Sequence, residues 1–299
     1  MKLLTFHTEK VLRVGIKTER GILDIAKAAS KWEKDFSILQ SIEQIVDGGD
    51  EVLESLAQLL ALAGDAEDDE LWLREDSIQL GPCVPHPGKI ICVGLNYRKH
   101  AEESNLPIPE SPVLFGKFGN SIAAHGEQIP LPQGSSQVDY EAELAIVIGK
   151  KAKHVPKETA LEYVFGYCNA NDLSARDLQS RTSQWLLGKS CDGFCPVGPY
   201  LVTSDEVESP NHLRIRSIVN GEVRQDSNTG DMIFACDEIV SYISSYMTLM
   251  PGDIILTGTP EGVILGHPKQ EQIWLQAGDE VTIEIEKLGR LTNRFQNEA

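Results

Sequence analysis

The stretch Val138 to Lys150, VDYEAELAIVIGK, constrains this chain more than any other. Its apolar run reads as a strand set into a core, yet two carboxylates, Glu141 and Glu143, open it. Residues two apart on a strand point to the same face, with Cα atoms roughly 6–7 Å apart, so the two acids project side by side. Leu144, Ile146 and Ile148 face the opposite way, as core. Neighbouring like charges raise each other's pKa, and near a core each is costly unless something positive meets it. Two readings stand at this point. Either the strand end is exposed and both glutamates are solvated, or a divalent cation lies between them. Oxygen ligands select a hard ion, Mg²⁺ or Mn²⁺ with Ca²⁺ as a further candidate, over zinc.

A third carboxylate bears on that choice. Asp172, in CNANDLSARDLQSR, comes just before a helical segment at 175–181. Ser174 and Asp177 read as the capping box of that helix, which frees Asp172 to be a third ligand. Arg176 and Gln179 are three apart on the same helix and share a face. Arginine suits bidentate carboxylate recognition, so metal and fork together would form a locally basic pocket. An acidic ligand needs such a pocket here, because 45 acidic residues face 27 basic ones and the net charge is −18. The same balance argues against nucleic acid as a partner.

The rest of the chain reads as an ordinary soluble globular protein: 299 residues, 41% hydrophobic and 24% charged. Six cysteines show no CxxC pair and no framework spacing, and read as reduced, packed thiols. No apolar run approaches the roughly 20 residues of a membrane span, and MKLLTFHTEKVLRVG is too short in apolar residues for a signal peptide. The expectation is a cytoplasmic protein with no membrane partner. Residues 1–24 alternate as two or three strands around a turn at TERG; 37–63 read helical, with Gly64 where a C-terminal cap belongs. After the acidic patch 65–70 and the Pro/Gly-rich 81–89, short strands dominate. Helices are clearest at Ala175–Arg181 and Glu238–Met247. Two Gly-Asp turns, in LMPGDIILTG and LQAGDEVTIEIE, each launch a strand. The fold class is therefore α+β and predominantly β, with a small α/β N-terminal cap domain over 1–75 and a catalytic domain over 76–299.

YEAELAIVIGK, NDLSARDLQ, GKSCDGFCPVGP, DMIF and PGDIILTGTPEGV, in that order, resemble the motifs of the fumarylacetoacetate hydrolase (FAH) superfamily across residues 88–295. The resemblance implies a mixed β-roll catalytic domain, usually a homodimer, holding Mg²⁺ or Mn²⁺ and acting on 2-oxo acids with a second carbonyl nearby. It implies Glu141, Glu143 and Asp172 as metal ligands, and Arg176 and Gln179 as contacts to the substrate carboxylate. Lys189 in LLGKS resembles a lysine beside the metal, and Thr259 in TGTPEG a residue holding a substrate oxygen. His100 and Glu103 in GLNYRKHAEES resemble an acid/base dyad on a segment that closes over ligand. Lys117 in LFGKF falls where relatives place another basic group. A bound cation would lower the cost of an enolate, Lys189 would add fixed positive charge, and His100 could carry a proton at neutral pH. The expected activity is C–C cleavage, by hydrolysis or decarboxylation, of an acylpyruvate or oxaloacetate. Two alternatives are an isomerase or tautomerase of hydroxymuconate-type dioates and a metal-stabilised binding protein without turnover.

Overall fold

In the computed structural model the described residues are 1–9, 11–32, 41–66, 68–103 and 107–298. The N-terminal alternation forms β1 (Lys2–His7), β2 (Leu12–Lys17) and β3 (Ile22–Asp24), with the hairpin closed at Thr18 and Gly21. Asp24 then caps α1 (Ile25–Lys31) by accepting from Lys27 N. A capping box between Ser41 and Gln44 starts α2 (Ile42–Asp65); residues 37–40 of the expected helix lie outside the described residues. The left-handed glycine expected at Gly64 sits instead at Gly49 (φ 55°), where α2 kinks, and the helix ends as Ala66 turns extended. β4 (Trp72–Leu73), β5 (Leu80–Gly81) and β6 (Ile90–Gly94) lead to α3 (Arg98–Glu103), β7 (Val113–Lys117), β8 (Ile122–Ala123) and β9 (Gln128–Leu131).

The acidic stretch follows, as β10 (Val138–Asp139), β11 (Ala142–Ile148), β12 (Val164–Asn171) and β13 (Ser174–Ala175). Next come the short helices α4 (Arg176–Gln179) and α5 (Leu186–Lys189), then β14 (Cys195–Thr203). The chain closes with β15 (Arg214–Val219), β16 (Glu222–Asn228), α6 (Cys236–Tyr246), β17 (Ile254–Leu256), β18 (Glu280–Ile285) and β19 (Gly289–Asn297). This is the expected α+β class, with strands dominant. Both Gly-Asp turns use the same device: Met250 N donates to Asp253 Oδ2 and Gln276 N to Asp279 Oδ2, each at 2.7 Å.

Among the described residues the main sheet runs β4-β3-β2-β1-β14-β12-β11-β17-β6-β7, and a second sheet runs β16-β15-β18-β19-β9. β1 joins the N-terminal segment to the main sheet by pairing with β14, Lys2 opposite Val202. β11 lies between β12 and β17 and is buried on both faces. Leu144, Ile146 and Ile148 pack in one core cluster with Ile215, Ile239, Ile243 and Ile283; Ala145 and Val147 pack in another with Leu3, Ile16, Leu56 and Leu59. Burial on both sides explains why this strand reads as an unbroken apolar run. Glu141 and Glu143 are only 5% and 2% exposed, so the reading of a solvated strand end is removed. None of the helices is long and apolar enough to cross a membrane, among the described residues.

The register of β11 on β12, Ala142 opposite Asn171, carries the third acid into place: Asp172 N donates to Glu141 O at 3.0 Å. The expected capping box does not form. Residues 174–175 pair with β10 as β13, which makes Ala175 the residue before α4, and the helix shrinks to four residues. Ser174 Oγ donates to Asp172 O, and Asp177 accepts from Ser135 Oγ and Ser136 N.

Glu75 bridges β2 and β14 of the main sheet. It pairs with Lys17 Nζ at 2.6 Å and accepts from the Tyr200 hydroxyl on β14. Burial raises its pKa, but Lys17 and Tyr200 outweigh that and hold it below the usual glutamate value. A depressed folded pKa contributes stability that is present above the unfolded value and is lost as pH falls through the folded one. Glu75→Gln should therefore lower Tm at neutral pH, and the gap to the parent should close on acidification below the glutamate range, as read by thermal melts across a pH series.

Candidate active site

A cavity of about 410 Å³ opens where β11, α3, α4, α5 and the loop after β17 converge. His100, Glu103, Glu141, Glu143, Arg176, Gln179, Lys189 and Thr259 line it. Asp172 lies behind that wall in contact with Lys189, and Lys117 lies behind Asp172. The structure thus gathers every candidate from six separate segments of the sequence into one place.

Glu141 Oε2 accepts from Lys189 Nζ at 2.6 Å, and the same ammonium reaches Asp172 Oδ2 at 2.8 Å. Lys117 Nζ donates to Asp172 Oδ1 at 2.5 Å and to Leu173 O at 3.1 Å. Lys189 also stands 5.0 Å over the Phe115 ring. Glu143 has a different environment: Gly258 N donates to its Oε2 at 2.7 Å, and it enters none of the ion pairs found among the described residues. Burial would raise the pKa of Glu141, but Lys189 and Arg176 prevail and hold it near about 2. Glu143 goes the other way, pushed well above the carboxylate range by burial and then by Asp172 and Glu141.

One more positive charge would let Glu143 ionise. Ligand oxygens of Glu141, Glu143 and Asp172 lie within 4.8 Å of one another, all buried. Three hard oxygen donors around an acid without a cationic partner fit a divalent metal of the Mg²⁺ or Mn²⁺ kind. The six cysteines are free and none joins the cluster.

Arg176 is engaged within the protein. Its Nε donates to Asp139 Oδ2 at 2.9 Å, Nη1 to Gln179 Oε1 at 3.0 Å and Nη2 to Glu141 Oε1 at 2.8 Å. The sequence placed Arg176 and Gln179 as a fork beside the acids; the fold puts both on the cavity and also makes Arg176 a bridge between two acids. Because Gln179 Oε1 is taken, its Nε2 donors are what it offers a ligand. At the cavity mouth, His100 Nδ1 is 3.4 Å from Glu103 Oε2, and Gly262 N donates to Glu103 Oε1 at 3.1 Å. Gln225 Nε2 donates to Thr259 Oγ1 at 2.8 Å, which leaves the Thr259 hydroxyl proton to point elsewhere. Val93, Leu95, Phe115, Trp185 and Leu265 form an apolar wall.

Sequence reasoning missed Asp139, Gln225 and Leu265. Asp139 had a visible signal, since it continues the two-residue spacing of Glu141 and Glu143. Gln225 and Leu265 had none, because strand and loop patterns do not say which distant segment they meet.

A mixed-β fold enclosing three buried carboxylates beside two lysines and a His–Glu pair defines an enzyme site for small anionic substrates. Residues 89–296 match the family model described as fumarylacetoacetate (FAA) hydrolase C-terminal, and the chain belongs to the fumarylacetoacetate hydrolase superfamily. It is 40% identical over 285 residues to "Oxaloacetate tautomerase fahd2, mitochondrial" of Xenopus laevis, spanning 94% of this chain and 85% of the relative. It is 48% identical over 212 residues to "Oxaloacetate tautomerase Fahd2a, mitochondrial" of Rattus norvegicus, spanning 71% and 67%. Among solved structures, maleylpyruvate hydrolase from Sphingobium sp. SYK-6, in complex with manganese(II) ion and pyruvate, superposes with a TM-score of 0.79 at 30% identity, all of each chain covered. The chain is an enzyme of this family acting on small acidic 2-oxo acids, which removes the alternative of a binder without turnover. The expected cytoplasmic location is also overturned, since the rat and frog relatives are both named as mitochondrial.

Gly188 sets the position of Lys189. A Cβ there would meet Ala175 O and Gln179 N, each at 2.5 Å, both backbone atoms that cannot swing away. Gly188→Ala should push α5 off α4 and move the Lys189 ammonium from its two carboxylates. The expected outcome is a kcat reduced about tenfold or more, since a misplacement of 1 Å is felt strongly in a preorganised site, with a Tm loss as the accompanying readout.

Proposed function

We propose that this protein is a divalent-metal-dependent tautomerase of β-dicarbonyl 2-oxo acids, with oxaloacetate as the reference substrate. One observation carries the reading: the His100–Glu103 pair stands at the mouth of the same cavity that Glu141 and Glu143 line, with Asp172 of the same acidic cluster just behind them. Keto–enol exchange needs a proton carrier next to a site that tolerates negative charge on oxygen, and little else. The names of the frog and rat relatives support it.

Glu141, Glu143 and Asp172 would hold the metal, Mg²⁺ or Mn²⁺. When bound, that ion supplies Lewis acidity, lowering the cost of negative charge on the substrate oxygens. Lys189 adds a fixed ammonium beside the same charge. With Nδ1 turned to Glu103, His100 presents Nε2 to ligand and takes the proton from C3; the C–H pair becomes the C2–C3 double bond, the C2 carbonyl pair moves onto oxygen, and the protonated His100 returns the proton to that oxygen, the reverse order giving the keto form. Thr259 and Gln179 offer donors that orient the carboxylate and carbonyl oxygens. The wall of Val93, Leu95, Phe115, Trp185 and Leu265 keeps water from the carbanion centre. Lys117 acts behind the site by fixing Asp172. We take 1–75 as a cap, 76–299 as the catalytic unit and a homodimer as the assembly.

A second reading is C–C cleavage of an acylpyruvate or oxaloacetate, supported by the hydrolase named among the structural neighbours. A stopped assay separates the two. Oxaloacetate with Mg²⁺ or Mn²⁺ should show accelerated loss of the enol ultraviolet signal, abolished by chelator, without matching release of pyruvate or CO₂. Stoichiometric pyruvate would transfer the assignment to cleavage. His100→Ala should lower the rate about 10²-fold or more while metal binding, read by calorimetry, is kept; an unchanged rate removes the proton-carrier role.

A further inference from the structure

Asp139 stands two residues before Glu141 and is 0% exposed. Oδ1 accepts from Ile264 N at 2.9 Å, and Oδ2 accepts from Leu265 N at 3.0 Å and from Arg176 Nε at 2.9 Å. A buried carboxylate is costly unless its lone pairs are met, and here two backbone amides and a guanidinium meet them. Arg176 Nη2 then reaches Glu141 Oε1 at 2.8 Å, and also lies 2.8 Å from Asp139 Oδ2. Guanidinium donors form a rigid planar fork, so pinning Nε dictates where Nη2 points. Glu141 is left with its two oxygens held from opposite sides, one by Arg176 and one by Lys189.

We propose that Asp139 is a positioning residue which clamps Arg176 and, through it, aims Glu141 into the metal site. The inference rests on the reading of Glu141 as a metal ligand given above. Arg176 is then a strut between two acids. The same Asp139 carboxylate anchors the backbone at Leu265, a residue of the apolar wall, so metal site and pocket wall share one support. A purely structural Asp139 would lower Tm without changing metal affinity in the folded protein. A positioning Asp139 changes affinity, and does so only while Arg176 is present.

The test is Mn²⁺ binding to metal-stripped protein by titration calorimetry, with circular dichroism and Tm recorded on the same samples. Asp139→Asn keeps the shape but turns one acceptor into a donor that faces other donors. It should raise the Mn²⁺ dissociation constant about 10–100-fold, the range for residues that orient a ligand. Arg176→Met should do the same, and the double variant should be no worse than the weaker-binding single, because both break one link. Arg176→Lys should also raise the constant, since an ammonium cannot span both carboxylates. A folded Asp139→Asn whose constant stays within about threefold of the parent, or single effects that add in the double variant, overturns the inference. If Asp139→Asn does not fold, the two Arg176 variants decide alone, and unchanged binding in both overturns it. A parent protein that takes up no Mn²⁺ overturns the metal reading itself, and this inference with it.

Discussion

Unequal charge around three buried carboxylates is the constraint on which the site depends. Glu141 and Asp172 share the ammonium of Lys189, and each has a second cation, Arg176 or Lys117. Glu143 has an amide N–H and, among the described residues, no cation. Burial makes that imbalance severe, since the interior offers no water to solvate the unmatched acid. Much of the architecture serves to hold the imbalance in place. β11 is locked between two strands and packed on both faces, β12 delivers Asp172 in register, and two short helices bring the cations. A protein with no use for a bound cation would do better with leucine at 143.

Much of the site could be read from the chain, because strand periodicity is local. The two-residue spacing puts Glu141 and Glu143 on one face whatever surrounds them, and helical spacing pairs Arg176 with Gln179. The Gly-Asp turns were legible for the same reason: the device is complete within four residues. Burial was not legible from the glutamates alone, and only the third acid and the motif order pointed to it. The capping box failed because Ser174 and Ala175 are claimed by a two-residue ladder with β10, a pairing over 35 positions of sequence that no local pattern announces. Gly64 failed in a related way: glycine permits a helix end, but the positive φ falls at Gly49 and the helix runs on to Asp65. The bridge from Arg176 to Asp139 went unread, although Asp139 stood in the opening stretch.

Family membership and reaction type rest on different residues. The strands, the metal-type carboxylates and Lys189 make this an enzyme of the fumarylacetoacetate hydrolase superfamily. They would serve proton transfer and bond cleavage equally, because both pass through a negatively charged oxygen. What differs is the second reactant. Hydrolysis requires a water poised at the far carbonyl, whereas proton transfer uses none.

Gln225 extends from the second sheet into the joint between β11 and the Thr259 loop, with every valence used. Its Oε1 accepts from Ala142 N, and its Nε2 donates to Thr259 Oγ1 and to Pro260 O. Conversion to glutamate, whether by a codon change or by slow deamidation with age, alters neither volume nor outline. It would nonetheless set lone pairs against lone pairs at Pro260, so a lesion of one atom, silent to any measure of shape, would loosen the floor beneath Glu143 from a residue that does not itself line the cavity.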